Sequence, residues 1–167
     1  MPGGWVRWAL PVMAAAIAAL VLWKTAGDTV PDVEFVTLTG ERIRLRDWRG
    51  DPVLVTFWAT DCRPCLEEIP DLSELHRTYA GRGLHVIAVA MHYDPPNRVL
   101  AVAREARLPY RVALDPLGRI AQALGPVPGV PASFLVGPDG RLILRRLGKL
   151  RAEELRGTLE ALLEKAQ

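Results

Sequence analysis

Two cysteines, three histidines and three methionines are all the soft ligand chemistry that the 167-residue chain contains. So few thiols exclude a disulfide-dense scaffold. The 14 glycines follow no fixed period, which excludes a collagen-like chain, and 50% hydrophobic residues exclude a disordered one. A surplus of one charge is also missing, with 21 Lys+Arg against 19 Asp+Glu. Arg7 and Lys24 flank an apolar run and no acidic residue precedes Asp28; setting those two aside leaves the stretch from Thr25 to Gln167 neutral. No basic footprint for nucleic acid remains. His76, His85 and His92 are scattered over a helix end, a strand start and a strand end, and are read as structural; no metal-ligand pattern emerges. What is present suits one compact domain.

Trp8 to Trp23 is sixteen residues without a charge, bounded by Arg7 and Lys24. As a helix it would reach about 24 Å, short of the roughly 30 Å hydrocarbon core. Snorkelling of the two flanking cations, with Trp5, Trp8 and Trp23 at the interfaces, would close the gap. A cleaved signal peptide is the rival, but Lys24 stands where its cleavage site wants a small residue. The reading is a cytoplasmic N-terminus over 1–7, a transmembrane anchor over 8–24, a tether over 25–31 and a folded domain over 32–167. By the positive-inside rule that domain faces out of the cytoplasm.

Alternating apolar residues predict a hairpin over 33–46 around Gly40. The run Val53 to Trp58 suits a strand buried on both faces. From Arg63 to Ala80, Leu66, Ile69, Leu72, Leu75 and Tyr79 recur at helical spacing, and Pro70 is expected to bend that helix. There follow a strand at 84–91, a helix at about 95–107, a strand at 110–114 and a short helix at 118–124. Residues 126–131 are too rich in proline for regular structure. A strand at 132–136, the turn 137–140, a strand at 141–147 and a helix at about 152–165 close the chain. This alternation predicts an α/β fold, a mixed central sheet with helices on both faces.

Both cysteines lie in Trp58-Ala59-Thr60-Asp61-Cys62-Arg63-Pro64-Cys65, between the buried strand and a helix start. Two thiols three apart at that place are close enough to bridge. Cys62 stands at the helix mouth, where unpaired backbone donors and the dipole favour a thiolate, and Arg63 adds positive charge. Asp61 opposes that effect and is expected to cap the helix. Pro64 removes a backbone donor that could bond a sulfur. Cys65 is one turn in and buried. The functional reading is a reversible dithiol/disulfide in which Cys62 attacks and Cys65 resolves, with no other cofactor. A purely structural disulfide is disfavoured, because so small a ring removes little chain entropy from the unfolded state. A metal site lacks a second ligand pair.

Glu68 falls on the helical stripe of Leu72 and Leu75, so its carboxylate is expected to face the interior. A buried carboxylate needs a task or a partner. Proton exchange with Cys65 is the task assigned to it. The bland alternative is a half-exposed helix carboxylate; Glu67 faces the other way and is read as solvated.

Phe57-Trp58-Ala59-Thr60-Asp61-Cys62-Arg63-Pro64-Cys65-Leu66-Glu67-Glu68-Ile69-Pro70 resembles the active-site segment of membrane-anchored TlpA/ResA-like thiol-disulfide oxidoreductases of the thioredoxin superfamily. Gly129-Val130-Pro131-Ala132-Ser133-Phe134-Leu135-Val136, then Pro138-Asp139-Gly140, looks like that family's cis-proline loop and closing hairpin. The resemblance runs from about Pro31 to the end. It implies a thioredoxin-like sheet with an N-terminal hairpin and a central insertion within about 93–124. It implies a cis Val130-Pro131 bond beside the cysteines, with Val130, Pro131 and Trp58 contacting substrate, and it matches Glu68 to the family's acidic active-site residue. One position departs: Asp61 stands where the family usually has tryptophan.

The resemblance further implies a single-pass protein of a bacterial cytoplasmic membrane that reduces disulfides of partner proteins, with apocytochrome c as the expected substrate and a membrane protein as electron donor. Two rival activities are a thiol peroxidase, against which the paired cysteine spacing speaks, and a copper-binding or copper-delivery module, which would want a histidine or methionine near the pair.

Overall fold

The computed structural model describes residues 29–165. The anchor and most of the tether lie outside them; among the described residues no helix is long and apolar enough to cross a membrane. The tether ends earlier than expected. Thr29 already bridges Arg141, and the buried Val30 donates its N–H to the Gly140 carbonyl at 3.0 Å.

Seven strands form one mixed sheet. In chain order they are β1 (Glu34–Thr37), β2 (Arg42–Arg44), β3 (Val53–Trp58), β4 (His85–Ala90), β5 (Arg111–Leu114), β6 (Ala132–Val136) and β7 (Leu142–Leu147), and in space β2-β1-β5-β4-β3-β6-β7. β3, β4 and β5 run parallel, while β1, β6 and β7 join antiparallel. Among the described residues the α-helices are α1 (Arg63–Tyr79), α2 (Pro96–Glu105), α3 (Arg119–Leu124) and α4 (Ala152–Lys165).

Strand β3 is buried at every position because β4 and β6 flank it and both of its faces are covered. Leu54 and Trp58 point into a core shared with Leu72 and Leu75 of α1, Val99 of α2 and Leu159 of α4. Val53, Val55 and Phe57 point the other way, towards Phe35, Phe134 and Ile120 of α3. The period-2 alternation of the strand thus divides one apolar run between two cores, as the predicted two-faced sheet requires. Phe57 meets Phe134 edge-on at 5.6 Å between ring centres, an arrangement worth about 1 kcal/mol beyond the area it buries.

The N-terminal hairpin is shorter than its alternation suggests. β2 stops at Arg44, and Leu45–Trp48 form a 3-10 turn. Two carboxylates cause this: Asp47 accepts from the Arg44 N–H at 2.9 Å and Asp32 accepts from the Arg46 N–H at 3.1 Å, which takes that backbone out of the ladder. Leu45 and Trp48 are then buried together at a spacing of three. Helix α1 runs unbroken through Pro70, which sits on its exposed side. Leu66, expected in the apolar stripe, is instead 36% exposed.

Candidate active site

The C-terminal ends of the parallel strands β3 and β4 lie side by side, Trp58 opposite Ala90, and the loops that leave them are tied together. Asp94, buried after β4, accepts from the Thr60 N–H at 2.6 Å and from the Thr60 hydroxyl at 2.7 Å. Thr60 is thereby fixed two residues before the first cysteine. The chain turns with the Cys62 N–H on the Ala59 carbonyl at 3.1 Å and enters α1.

Cys62 itself caps α1, its Sγ accepting from the Cys65 N–H at 3.2 Å. This corrects the expectation that Asp61 is the cap. Pro64 stands in the first helical turn, where no intrahelical donor is needed. Cys62 and Cys65 are joined as a disulfide with Cα atoms 5.3 Å apart, Cys62 half-buried and Cys65 3% exposed. Asp61 is exposed. Arg63 points into solvent and pairs with Glu67 at 3.0 Å, and Glu67 is exposed, as expected of a solvated residue.

Glu68 is 1% exposed, as its stripe position predicts. One carboxylate oxygen accepts from the Leu150 N–H at 3.0 Å. Burial pushes its pKa up from 4.5 to about 7, against the opposing pull of the Leu150 hydrogen bond and the Lys149 charge, with Asp71 adding a little. Glu68 and Cys65 line one cavity of about 10 Å³ together with Thr56, Trp58 and Tyr110. That is the room of about one water molecule. The Tyr110 phenol, also buried there, is pushed up by desolvation and bonded to Ser73.

Trp58, assigned above to substrate contact, is 5% exposed and packs in the core with Cys65. It backs the disulfide from below, and its Nε1 is buried without a protein partner. The Val130-Pro131 bond is cis. Because β6 pairs with β3 from Ala132 opposite Phe57, that bond stands at the same end of the sheet as the cysteines, with Val130 half-buried against the core that holds Cys65. Sequence reasoning missed Asp94, Tyr110 and the Leu150 N–H. Asp94 had one signal, an acidic residue between a strand end and Pro95-Pro96; the other two are brought in only by packing. Among the described residues no set of three or more His, Cys, Asp and Glu converges as metal ligands.

Comparisons with known proteins agree with this geometry. The AhpC/TSA family model matches residues 26–145. The thiol-disulfide oxidoreductase ResA of Bacillus thuringiensis subsp. konkukian is 33% identical over 132 residues, covering 77% of this chain and 73% of that protein. Among solved structures, a candidate thiol:disulfide interchange protein DsbE from Chlorobium tepidum is 29% identical with a TM-score of 0.70, covering 84% of this chain and 96% of that one. A thioredoxin family thiol:disulfide interchange protein from Chlorobium tepidum TLS superposes with a TM-score of 0.75 at 23% identity, covering 83% and 98%, and supports the fold.

Proposed function

Since the chain belongs to the AhpC/TSA family and is a thiol-disulfide oxidoreductase of the ResA type, we propose that it passes electrons to disulfides of partner proteins outside the cytoplasm, serving cytochrome c maturation. The observation that carries this reading is Glu68, a buried carboxylate with a pKa of about 7 in the same cavity as Cys65.

In the reduced enzyme the Cys62 thiolate, favoured by the start of α1, attacks one sulfur of the partner's disulfide. A mixed disulfide forms and the partner's other sulfur leaves as a thiolate, which takes a proton from solvent. Cys65 must then lose its proton to attack the Cys62 sulfur. Glu68 is the acceptor within reach of that buried space, and a pKa near neutrality lets it both take and release the proton. The partner leaves as a dithiol, and two electrons have moved from the cysteine pair to it. A membrane-bound dithiol donor restores the reduced pair.

The direction follows from how weakly the thiolate is stabilised. The helix start and the Cys65 N–H on Cys62 Sγ favour it, Asp61 opposes it, the exposed Arg63 is paired to Glu67, and Pro64 offers no second N–H. An oxidant near −120 mV needs a strongly stabilised thiolate; the balance here suits a potential on the reducing side of roughly −200 mV. The uncharged run Trp8 to Trp23 supports a single membrane anchor that leaves the domain on the outer side of a bacterial cytoplasmic membrane. Redox titration of the full chain in detergent against a dithiol buffer tests the direction, and a potential near −120 mV would make the protein a disulfide donor. Trapping with Cys65→Ser in cells identifies the partner, with apocytochrome c expected on the mixed disulfide.

A further inference from the structure

The clamp between Thr60 and Asp94 has neighbours on both sides. Asp61 follows Thr60 and Tyr93 precedes Asp94, so the two bonds that join the loops also set an exposed carboxylate and an exposed ring at one rim beside Cys62. Tyr93 is 52% exposed, and the His92 ring, also exposed, lies 5.3 Å from it between centres and nearly perpendicular to it. Partial burial first, and then the charges of Asp61 and Asp94, push the Tyr93 phenol up. Asp61 has neither an ion pair nor a hydrogen bond among the described residues. The nearest cation in sequence, Arg63, is held by Glu67. The surface around the attacking sulfur therefore carries an unpaired carboxylate and, across the Thr60–Asp94 clamp, an exposed aromatic ring.

The geometry points to a cation-accepting subsite beside Cys62, formed by the Asp61 carboxylate and the Tyr93 ring, that selects partner polypeptides carrying a lysine or arginine next to the reacting cysteine. A carboxylate supplies the ion pair and a tyrosine face supplies a cation–π contact to the same side chain. An acidic residue at that place in the partner would meet Asp61 with like charge. This deepens the proposed function by naming its substrate class, and it rests on that reading for the identity of the reaction.

The test uses the full chain in detergent and three short peptides, each carrying one cysteine as a mixed disulfide with thionitrobenzoate and differing only in a flanking Lys, Ala or Glu. Release of the coloured thiol by the pre-reduced enzyme gives the rates. The expected order is Lys, Ala, Glu, with about a fivefold to tenfold span that shrinks as salt is raised. Asp61→Asn should collapse the Lys-to-Glu ratio towards one, Asp61→Glu should keep it, and Tyr93→Leu should reduce it. The ratio is taken within one enzyme, so a change in Cys62 acidity cancels. Equal rates on the Lys and Glu peptides, or a ratio that survives Asp61→Asn, would overturn the subsite. Equal rates on Lys and Ala would make Asp61 a repulsive filter only and overturn the attractive half of the proposal. The oxidised enzyme is run against dithiol peptides with the same flanking residues: fast oxidation with a Lys preference, beside slow reduction, would sink the reductant reading and leave the subsite standing.

Discussion

The carboxylate of Glu68 is held at 3.0 Å by the backbone N–H of Leu150, a residue 82 positions later in the loop that leads into α4. The acid beneath Cys65 is therefore brought inward by its own helix and held there by the closing segment of the fold. One hydrogen bond is too little to keep a carboxylate ionised in a core, and the raised pKa is the result.

Glu68 should make the protein less stable as pH rises. Its folded pKa, about 7, is above the ordinary 4.5, so between those values the folded protein keeps a proton that the unfolded chain has released. The stability it contributes is complete below pH 4.5 and is lost as pH climbs through about 7, a change of about 3 kcal/mol. Urea unfolding of the wild type and of Glu68→Gln at pH 5 and pH 8 checks this. The variant should gain on the wild type by most of that amount at pH 8, and a constant difference across pH would contradict the assignment.

The same substitution should slow the chemistry at a particular step. Release of product from a mixed disulfide on Cys62 is expected to quicken through about pH 7 in the wild type, as Glu68 becomes able to accept the Cys65 proton. In Glu68→Gln it should be about a hundredfold slower, the lower end of what a positioned base supplies, and should lose that inflection. Stopped-flow decay of a preformed mixed disulfide reads both.

Alkylation should separate the two cysteines. In the reduced protein, the half-exposed Cys62 at the helix start should react first and titrate at lower pH than the buried Cys65. Asp61→Asn should move the Cys62 titration lower still, because the negative charge that opposes its thiolate is removed. Mass spectrometry of iodoacetamide-treated protein across pH gives both results; equal reactivity of the two thiols would contradict the helix-start argument.

Asp94 should matter although it lies far from the cysteines in sequence. Asp94→Ala removes two hydrogen bonds to a charged group and leaves the Thr60 N–H without its acceptor, which should cost about 2–3 kcal/mol. Chemical denaturation measures the loss. Asp94→Asn, which keeps an acceptor for one of the two donors, should recover about half of it.

Much of the site could be read from local pattern. The apolar run Val53 to Trp58, the cysteine spacing, Pro64 in the first turn and the stripe of Glu68, Leu72 and Leu75 place the disulfide at a helix start with an acid one turn in, because a strand has period two and a helix 3.6. Those are short-range constraints that a few residues specify by themselves. The choice between competing local partners and the packing of distant segments decided the rest. Capping by Cys62 in place of Asp61, the pairing of Arg63 with Glu67, and the burial of Trp58 behind the sulfurs depend on side-chain choices between competing local partners, all of which the sequence permits. The Asp94 clamp, the Leu150 N–H on Glu68 and Tyr110 in the Cys65 cavity join residues dozens of positions apart, and only the parallel pairing of β3 with β4 and of β4 with β5 and the return of α4 across α1 bring them together.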